Sequence, residues 1–407
     1  MRRAPAGVCK ARSVPPRAPA PTGRPRPGDR LGVAVDATPL LGSPTGVGRF
    51  CAGALGALAR RPDVDVRAFA VSWRRRDLLV HLVPPGVAVR QRAMPARPLH
   101  LAWRRVSAPG IEWFTGPADV VHGTNFVVPP TRRAGRVVTV HDLTTVRFPH
   151  LCDAPTLRFP ALVRRAVAEG AWVHTPSDFV AREVVAEFGA DPARVRSVHH
   201  GVTLPGAPPD PGRRAPGGLP PGTTRYVLAV GTVEPRKDYP GLVRAFGAVA
   251  AARPDLALVV IGADGWGAGA FHAAVAASPV ASRVVHLGYV PDDALGRWLA
   301  GAAVLAFPSV YEGFGFPPVE AMAAGVPVVA TAVGAVPEVV GDAGVLVAPA
   351  DVDALAGALE VVLDDDGRRA ELVERGRSRV AGLTWDACAA GLAGLYAEVA
   401  AGRPGRS

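Results

Sequence analysis

Short runs of apolar and β-branched residues alternate with amphipathic stretches from Leu31 onward. This alternation is typical of βα units arranged around a parallel sheet. In the first half the runs predict strands at residues 33–36, 64–70, 119–122, 137–141, 173–175 and 195–199. In the second half they predict strands at residues 226–230, 256–261, 284–287, 304–307 and 328–331. The order occurs twice, so the sequence predicts two doubly wound α/β domains.

Helices are predicted between these strands. The clearest covers residues 178–188, because Ser177 is a suitable N-cap, the apolar positions form one stripe, and Gly189 follows as a stop signal. In the second half, helices are predicted at residues 242–252, 292–299 and 318–324. Ligands of doubly wound sheets bind beyond the carboxyl ends of the strands, so we expect the chemistry in the loops that follow the strands.

Prolines and glycines crowd residues 204–224, where no regular element is expected. A breaker-rich segment of this kind separates domains. The predicted organisation is an arm at residues 1–30, a first domain at 31–203, a linker at 204–224, a second domain at 225–383, and a last helix with a tail at 384–407.

The net charge of +11 is concentrated near the start of the chain. Residues 1–30 carry eight basic residues against one acidic residue, a net charge of +7, which leaves only +4 for the rest. The composition of this arm predicts disorder. A body that is only mildly basic and lacks an aromatic platform argues against a nucleic-acid partner.

No apolar run is long enough for a membrane span or a secretory signal, and the four cysteines are scattered singly. We therefore expect a cytoplasmic protein without disulfides. Arginines cluster at residues 74–76 and 104–105. They are either ordinary surface charges or a site of peripheral contact with an anionic membrane.

The strongest local motif is Tyr311-Glu312-Gly313-Phe314-Gly315-Phe316-Pro317-Pro318-Val319-Glu320, which follows a predicted strand and starts a helix. Glycines let a phosphate approach the backbone, and a helix N-terminus favours an anion. Two carboxylates beside an anion site suit a ligand that also carries sugar hydroxyls. The alternative is a tight strand-to-helix turn with two surface glutamates.

A second motif, Gly231-Thr232-Val233-Glu234-Pro235-Arg236-Lys237-Asp238, follows the first strand of the second domain. Its adjacent cations point to neutralisation of a diphosphate. Lys10 and Lys237 are the chain's only lysines among 46 basic residues, which suggests that Lys237 serves a specific geometry. The alternative is a lysine retained by chance on a solvated loop.

The first domain offers a glycine loop and a histidine. Gly46, Gly48 and Arg49 precede a helix and resemble a phosphate cradle, but a full dinucleotide fingerprint would need glycine at position 51. His141 ends a predicted strand, and His122 ends its neighbour. Each is either a structural histidine or a group that hydrogen-bonds a substrate hydroxyl or transfers a proton.

The acidic pairs and runs of the sequence do not predict a metal site. Asp351 precedes an apolar-periodic helix and is interpreted as an N-cap, while residues 364–366 are interpreted as a turn between two helices. Asp63 and Asp65 form a further acidic pair without a metal-binding pattern. We expect no bound metal and no cofactor.

Together these segments resemble the retaining nucleotide-sugar glycosyltransferases of the GT-B fold, family 4, also called glycosyl transferases group 1. The resemblance covers nearly the whole body. It rests on the Gly46 to Arg49 loop, His141-Asp142, the Glu-Pro-Arg-Lys loop ending at Lys237, and Glu312 and Glu320 with seven residues between them. It implies two Rossmann-like domains facing a cleft, with the acceptor side first, the donor domain second, and the last helix packing back on the first domain.

The resemblance also implies roles for individual residues. Glu312 would contact the sugar hydroxyls near the reacting carbon and Glu320 the ribose, while His141 would face the transferred sugar. Arg236 and Lys237 would hold the diphosphate. The rest of the donor site would comprise Gly313, Phe314, Gly315 and Phe316, and the phosphate or acceptor loop would comprise Gly46, Gly48 and Arg49.

The implied activity is metal-independent transfer of a hexose, with mannose as the first expectation, from a nucleotide diphosphate sugar to a glycan, lipid-linked or small-molecule acceptor. The loop from Gly231 to Asp238, here named the cation loop, resembles the variant of a subset rich in mannosyl- and rhamnosyltransferases. It departs from many members by carrying Thr232 where they have arginine, and Arg236 is expected to replace that group. A sugar phosphorylase or epimerase of the same fold, and a dinucleotide-dependent oxidoreductase, are the alternatives.

Overall fold

The computed structural model describes residues 30–42, 45–90, 92–154, 156–203 and 218–402. The predicted arm, apart from Arg30, and residues 204–217 of the predicted linker lie outside these ranges. Two parallel sheets organise the described residues, and each carries helices on both of its faces. The predicted pair of doubly wound domains is therefore confirmed.

The first sheet has seven parallel strands in the order β3-β2-β1-β4-β5-β6-β7. The bounds are β1 Leu31–Asp36, β2 Val64–Phe69, β3 Ala88–Arg90, β4 Val120–Gly123, β5 Gly135–Thr139, β6 Trp172–Thr175 and β7 Val195–Ser197. The second sheet has six parallel strands in the order β10-β9-β8-β11-β12-β13. The bounds are β8 Arg225–Val230, β9 Leu256–Ile261, β10 Val284–His286, β11 Val304–Phe307, β12 Val328–Thr331 and β13 Gly344–Val347.

Fifteen α-helices connect and cover the strands within the described ranges. The helices of the first unit are α1 Gly46–Ala59, α2 Leu79–Leu82, α3 Ala96–Arg105, α4 Glu112–Thr115, α5 Thr144–Arg147, α6 Phe159–Ala168 and α7 Asp178–Phe188. Those that follow are α8 Tyr239–Ala250, α9 Ala268–Ala276, α10 Asp292–Gly301, α11 Phe316–Ala323, α12 Val336–Val340, α13 Val352–Asp364, α14 Asp366–Val380 and α15 Trp385–Ala401. No helix of the described ranges is both long enough and apolar enough to span a bilayer.

Capping explains where several helices begin. The Ser177 side chain accepts a hydrogen bond from the Val180 amide, which confirms it as the N-cap of α7. Asp351 caps α13 in the same way, through the amide of Ala354, so this acidic residue stabilises a helix start as predicted. A single residue, Asp365, separates α13 from α14 and caps the latter.

The core of the second unit lies on both faces of its sheet. In β8, Tyr226, Leu228 and Val230 contribute to one face, while Val227 and Ala229 contribute to the other. Every residue of β9 is buried. Strands covered on both faces are near-continuous apolar runs, which is why the sequence predicted these two within one residue of their bounds.

The last helix, α15, packs on α1 and on strands of the first unit rather than on the second sheet, which precedes it in the chain. Leu392, Tyr396 and Val399 are buried in the same core as Phe50. The approach is so close that a Cβ on Gly53 of α1 would lie 2.3 Å from the Trp385 ring. The chain therefore returns to its first half to complete that core.

Candidate active site

The predicted site residues of both units meet in the cleft between the two sheets, at the carboxyl ends of the strands. A Cβ on Gly313, in the loop after β11, would lie 1.8 Å from the backbone oxygen of His141, in the loop after β5. The Ser177 hydroxyl donates a hydrogen bond of 2.8 Å to the Gly313 carbonyl. Only glycine fits at position 313, and the two halves of the predicted site are in direct contact.

A buried ion cluster occupies the floor of the second unit's side of the cleft. We call Glu234, Arg236, Lys237 and Glu312 the Glu312 cluster. The Glu312 carboxylate lies 2.6 Å from Lys237 Nζ and 2.6 Å from Arg236 Nη1. Arg236 Nη2 lies 2.6 Å from Glu234, and the Ser309 hydroxyl donates to Glu312 over 2.8 Å. The charges of two cations and two carboxylates thus balance each other in a place with little access to water.

The local fields fix the charge state of this cluster. Burial alone would raise the pKa of Glu312, but Arg236 and Lys237 outweigh it and bring the pKa to about 2. Burial lowers the pKa of Lys237, and the contact with Glu312 opposes the fall. The Lys237 ammonium also lies 4.7 Å from the centroid of the Phe307 ring, a cation–π contact.

This cluster is suited to a dianion. Its cations are held at low dielectric, where a charge-assisted hydrogen bond to a phosphate oxygen is stronger than in water. Arg236 also donates 3.0 Å to the Tyr311 carbonyl, which ties the cation loop to the Glu312 loop. Thr232, the position at which many family members carry arginine, is exposed. Arg236 of the same loop supplies the guanidinium that lies in the cluster.

The first turn of α11 offers an anion fewer amides than the sequence interpretation assumed. Gly315 adopts φ +94°, a left-handed conformation suited to glycine, and α11 begins directly after it. Pro317 and Pro318 occupy the first turn and carry no N–H. The amides that usually make a helix N-terminus attractive to anions are therefore fewer here, and the charge of the site comes mainly from side chains.

Glu320 of α11 pairs across the cleft with Arg49 of α1, which also lies 2.9 Å from Asp292. Burial raises the pKa of Glu320, and Arg49 opposes the rise. The second carboxylate oxygen of Glu320 is buried without a hydrogen-bond partner among the described residues. Glu320, the residue expected to bind the ribose, is therefore paired with Arg49 of the loop that is expected to bind phosphate or the acceptor.

The glycine loop lies opposite the aromatic residues of the second unit. The Gly48 amide donates 3.3 Å to the Thr45 hydroxyl at the start of α1. A Cβ on Gly46 would lie 3.3 Å from the Phe316 ring. Phe314 is buried, and its ring centroid lies 5.4 Å from that of Phe316. A cavity of about 440 Å³ adjoins this contact, lined by Arg49, Gly201, Asp292, Phe316, Glu320 and Trp385 among others.

The strand predicted to reach His141 ends at Thr139, and the imidazole lies just beyond the sheet. His141 Nε2 donates 2.8 Å to the Thr124 carbonyl, and burial lowers its pKa, so the ring is neutral. His122 lies inside β4 and is hydrogen-bonded on both nitrogens, to Tyr396 and Thr139, at 2.7 Å each. Of the two alternatives left open for His122, the structure favours the structural role.

Four buried histidines surround the ring of Phe50. The ring centroids of His122, His141, His174 and His200 lie 6.4, 5.4, 5.3 and 4.4 Å from that of Phe50. Thr139 connects two of them, because its hydroxyl also lies 2.9 Å from His174 Nδ1. His200 stacks on Phe316 with centroids 5.3 Å apart and planes at 12°. We call these residues the histidine cluster; it connects the first core to the cleft.

Sequence reasoning missed the part that two residues of the second unit, Tyr311 and Glu338, play in joining the units. The Tyr311 hydroxyl accepts from the Leu143 amide over 3.1 Å and donates to Glu183. Glu338 of α12 accepts from two amides at the start of α7, at 2.8 and 2.9 Å, and from the His199 imidazole at 2.8 Å. The partners in each contact are more than 100 residues apart in the chain, so no local sequence pattern could predict these contacts.

A larger cavity, of about 970 Å³, lies at the opposite end of the first sheet. Gly32, Asp65 and Asp119 line it, at the amino ends of β1, β2 and β4. Ligands of open α/β sheets bind at carboxyl ends, and none of the predicted site residues lies here. The cleft between the sheets is the better candidate, although the cavity beside Arg49 and Glu320 within it is smaller, at about 440 Å³.

Comparison with known proteins identifies both halves of the chain. The family model "Glycosyltransferase Family 4" matches residues 44–204, and "Glycosyl transferases group 1" matches residues 215–379. The chain is 32% identical to O-antigen chain mannosyltransferase B of Escherichia coli, over 66% of this chain and 71% of that protein. It is 30% identical to D-inositol 3-phosphate glycosyltransferase of Acidothermus cellulolyticus, over 91% and 90%.

A solved structure shares the architecture. Sucrose-phosphate synthase from Thermosynechococcus elongatus superimposes with a TM-score of 0.72 and 21% identity, covering 91% of this chain and all of the other. The expected GT-B arrangement of two Rossmann-like units is thereby confirmed.

Proposed function

The chain belongs to the family-4 glycosyltransferases, and we propose that it transfers a hexose with retention of anomeric configuration, from a nucleotide diphosphate sugar and without a metal in the reaction. Mannose is the proposed sugar, and a glycan, a lipid-linked sugar or a small molecule is the proposed acceptor. The E. coli relative is named a mannosyltransferase, which supports this choice of sugar.

The Glu312 cluster carries the proposal. Cleavage of the bond between the anomeric carbon and the phosphate oxygen leaves the electron pair on the diphosphate, whose charge must be stabilised. Lys237 and Arg236 offer two buried cations for this purpose, and Glu312 holds them in place at 2.6 Å. A preorganised donor of this kind lowers a barrier by about 3 kcal/mol.

Retention is proposed to occur on one face of the sugar. The acceptor hydroxyl attacks the anomeric carbon from the side on which the diphosphate departs, and its proton passes to the departing phosphate oxygen. Neutral His141, which lies just beyond β5 in the first unit, is proposed to contact the hydroxyls of the transferred sugar from the opposite domain. Glu320 would bind the ribose after it exchanges Arg49 for ligand hydroxyls.

The test is transfer from GDP-mannose, with GDP-, UDP-, ADP- and TDP-hexoses compared in parallel and released nucleoside diphosphate as the readout. Lys237→Ala and Glu312→Gln are expected to lower kcat on the order of 10²-fold or more, since about 3 kcal/mol corresponds to two decades in rate. Arg244→Ala is the matched control, because Arg244 is an exposed cation on the neighbouring helix α8.

The same assay separates the alternatives. Wild-type turnover in both variants would refute the assignment of the Glu312 cluster. Consumption of orthophosphate would indicate a phosphorylase, and conversion of the donor without an acceptor would indicate an epimerase. The one-bond coupling between C1 and H1 of the product's transferred sugar distinguishes retention from inversion, since the coupling between H1 and H2 is small in both anomers of a mannoside.

We also propose a cytoplasmic location with peripheral contact to an anionic membrane. The free thiols Cys51 and Cys152 are compatible with a reducing compartment. Trp73 is 58% exposed and stands next to the exposed cations Arg74 and Arg75. Co-sedimentation with vesicles containing phosphatidylglycerol, and none with purely zwitterionic vesicles, is the expected result; equal binding to both would refute the electrostatic part of the proposal.

A further inference from the structure

Three side chains with metal-binding atoms converge at the outer edge of the second sheet, away from the Glu312 cluster. Asp264 lies in the loop after β9, His272 lies on α9, and His286 ends the edge strand β10. One ligand atom from each lies within 4.8 Å of the other two. They come from three separate elements, and the proposed transfer chemistry uses none of them.

The hydrogen bonds of His286 fix its tautomer. Its Nε2 lies 2.7 Å from the Gly262 carbonyl, an acceptor, so Nε2 carries the proton. In the neutral ring, Nδ1 then presents a lone pair, and it lies 3.8 Å from an Asp264 carboxylate oxygen. A lone pair that faces a carboxylate is unfavourable, and either a proton on Nδ1 or a metal ion between the two groups removes the repulsion. Metal-ligating histidines commonly donate their other N–H to a backbone carbonyl in this way.

His272 completes the arrangement from the other side. Its Nε2 lies 3.1 Å from both Asp264 oxygens, and its ring centroid lies 5.7 Å from that of His286. The side chains of Asp264 and His272 are about half exposed, at 52% and 49%, so a hydrated ion can reach them and both can adjust by rotation. The His286 side chain is 19% exposed and forms the fixed part of the site.

We propose that Asp264, His272 and His286 bind a divalent transition metal ion, Zn²⁺ in the first instance. Two imidazole nitrogens and one carboxylate oxygen suit Zn²⁺, whereas Mg²⁺ and Ca²⁺ prefer oxygen ligands alone. Three protein ligands with water at the fourth position complete a tetrahedral shell. The metal stabilises the fold at this edge and takes no part in transfer.

The site lies behind the cation loop. The Val233 amide donates 2.9 Å to the Ala263 carbonyl, and the Gly265 amide donates 3.0 Å to the Val233 carbonyl. In the same loop, Trp266 Nε1 donates 2.9 Å to Leu151 of the first unit. An ion that joins this loop to α9 and β10 therefore restrains the segment that supports the cation loop from behind.

The test uses the tag-free full chain, stripped with EDTA, desalted and titrated with ZnCl₂ by calorimetry, with bound zinc counted by mass spectrometry after dialysis. We expect one ion per chain and a rise in melting temperature, since a ligand that binds only the folded state stabilises it. Replacement by Co²⁺ is expected to give the visible absorption of a four-coordinate nitrogen and oxygen site.

His272→Ala and Asp264→Asn each remove a ligand at an exposed position, so folding is expected to persist and zinc binding to weaken at least about tenfold. His150→Ala, at an exposed histidine of the first unit, is the matched control and is expected to bind zinc as the wild type does. Zinc retained equally by His272→Ala and the wild type, or no stoichiometric zinc in the wild type, would overturn the proposal.

Discussion

Acidification from pH 7 to pH 5 is expected to destabilise the first unit through the histidine cluster. Burial lowers the pKa of His174 to about 3 and holds those of His122 and His200 well below their usual value. An unfolded histidine has a pKa of about 6.5. The unfolded chain thus takes up protons that the folded chain excludes, so the stabilisation is present above pH 6.5 and is lost below it.

The magnitude follows from these pKa values. Between pH 7 and pH 5, His174 alone loses about 2 kcal/mol of stabilisation, and His122 and His200 change the stability in the same direction. Asp36 acts in the opposite direction, because burial raises its pKa to about 6 and its protonation at lower pH regains about 1 kcal/mol. The loss at His174 alone exceeds the gain at Asp36, so acidification is expected to destabilise the fold.

Urea unfolding followed by circular dichroism at pH 7, 6 and 5 measures this loss. His174→Gln is the informative variant, since an amide keeps partners for Thr139 and the Val198 carbonyl without titrating. The variant is expected to lose about 2 kcal/mol less than the wild type over this interval. Equal pH dependence of the two proteins, or a free energy of unfolding that stays constant from pH 7 to pH 5, would refute the reasoning.

Three further substitutions test contacts of the cleft and of the last helix. Arg49→Ala leaves Glu320 without its cation and is expected to cost about 2 kcal/mol in thermal unfolding at pH 7; an unchanged melting temperature would contradict it. Glu338→Gln removes a negative charge from the start of α7 and is expected to lower the free energy of unfolding by about 1 kcal/mol. It is also expected to raise the radius of gyration in X-ray scattering, and an unchanged radius would contradict this expectation. Gly53→Ala places a methyl group against Trp385 and is expected to cost about 1–3 kcal/mol in urea unfolding.

The control for the last of these is a glycine on the opposing helix with free space around it. A Cβ on Gly394 of α15 meets no atom within 4 Å. Gly394→Ala is therefore expected to stabilise the protein by about 0.5–1 kcal/mol through helix propensity alone. If Gly53→Ala stabilised the protein as much as Gly394→Ala does, the close approach of α1 and α15 would be disproved.

The sequence predicted the buried strands well but missed two of the four edge strands. Strands such as β9 and β11 are apolar throughout because helices cover both faces, and their predicted bounds are correct. The strands β3 and β13 were missed. They lie at sheet edges, only three and four residues long, and contain no fully buried residue. Strand β10 is as short and as little buried, and it was predicted because two consecutive valines begin it.

At the site, too, the sequence predicted the local motifs but not the contacts between distant parts of the chain. Spacing located Glu312, Lys237 and their loops, because each motif lies directly after a buried strand. It did not predict that Arg49 pairs with Glu320, which is 271 positions away, or that Glu338 binds the start of α7. Such pairs depend on how the two sheets face each other, which no local pattern contains. The roles carried over from the family to individual residues stay predictions.

The return of α15 to the first unit constrains the order in which the protein is made. A domain at the start of a chain usually folds while the ribosome is still synthesising the rest. Here one face of the first sheet is covered in part by Leu392, Tyr396 and Val399, which emerge only after the whole second unit has been synthesised. The first core therefore stays open while the second unit is made. For the same reason, a hybrid enzyme that combines this first unit with a foreign second unit must also contain this chain's own α15.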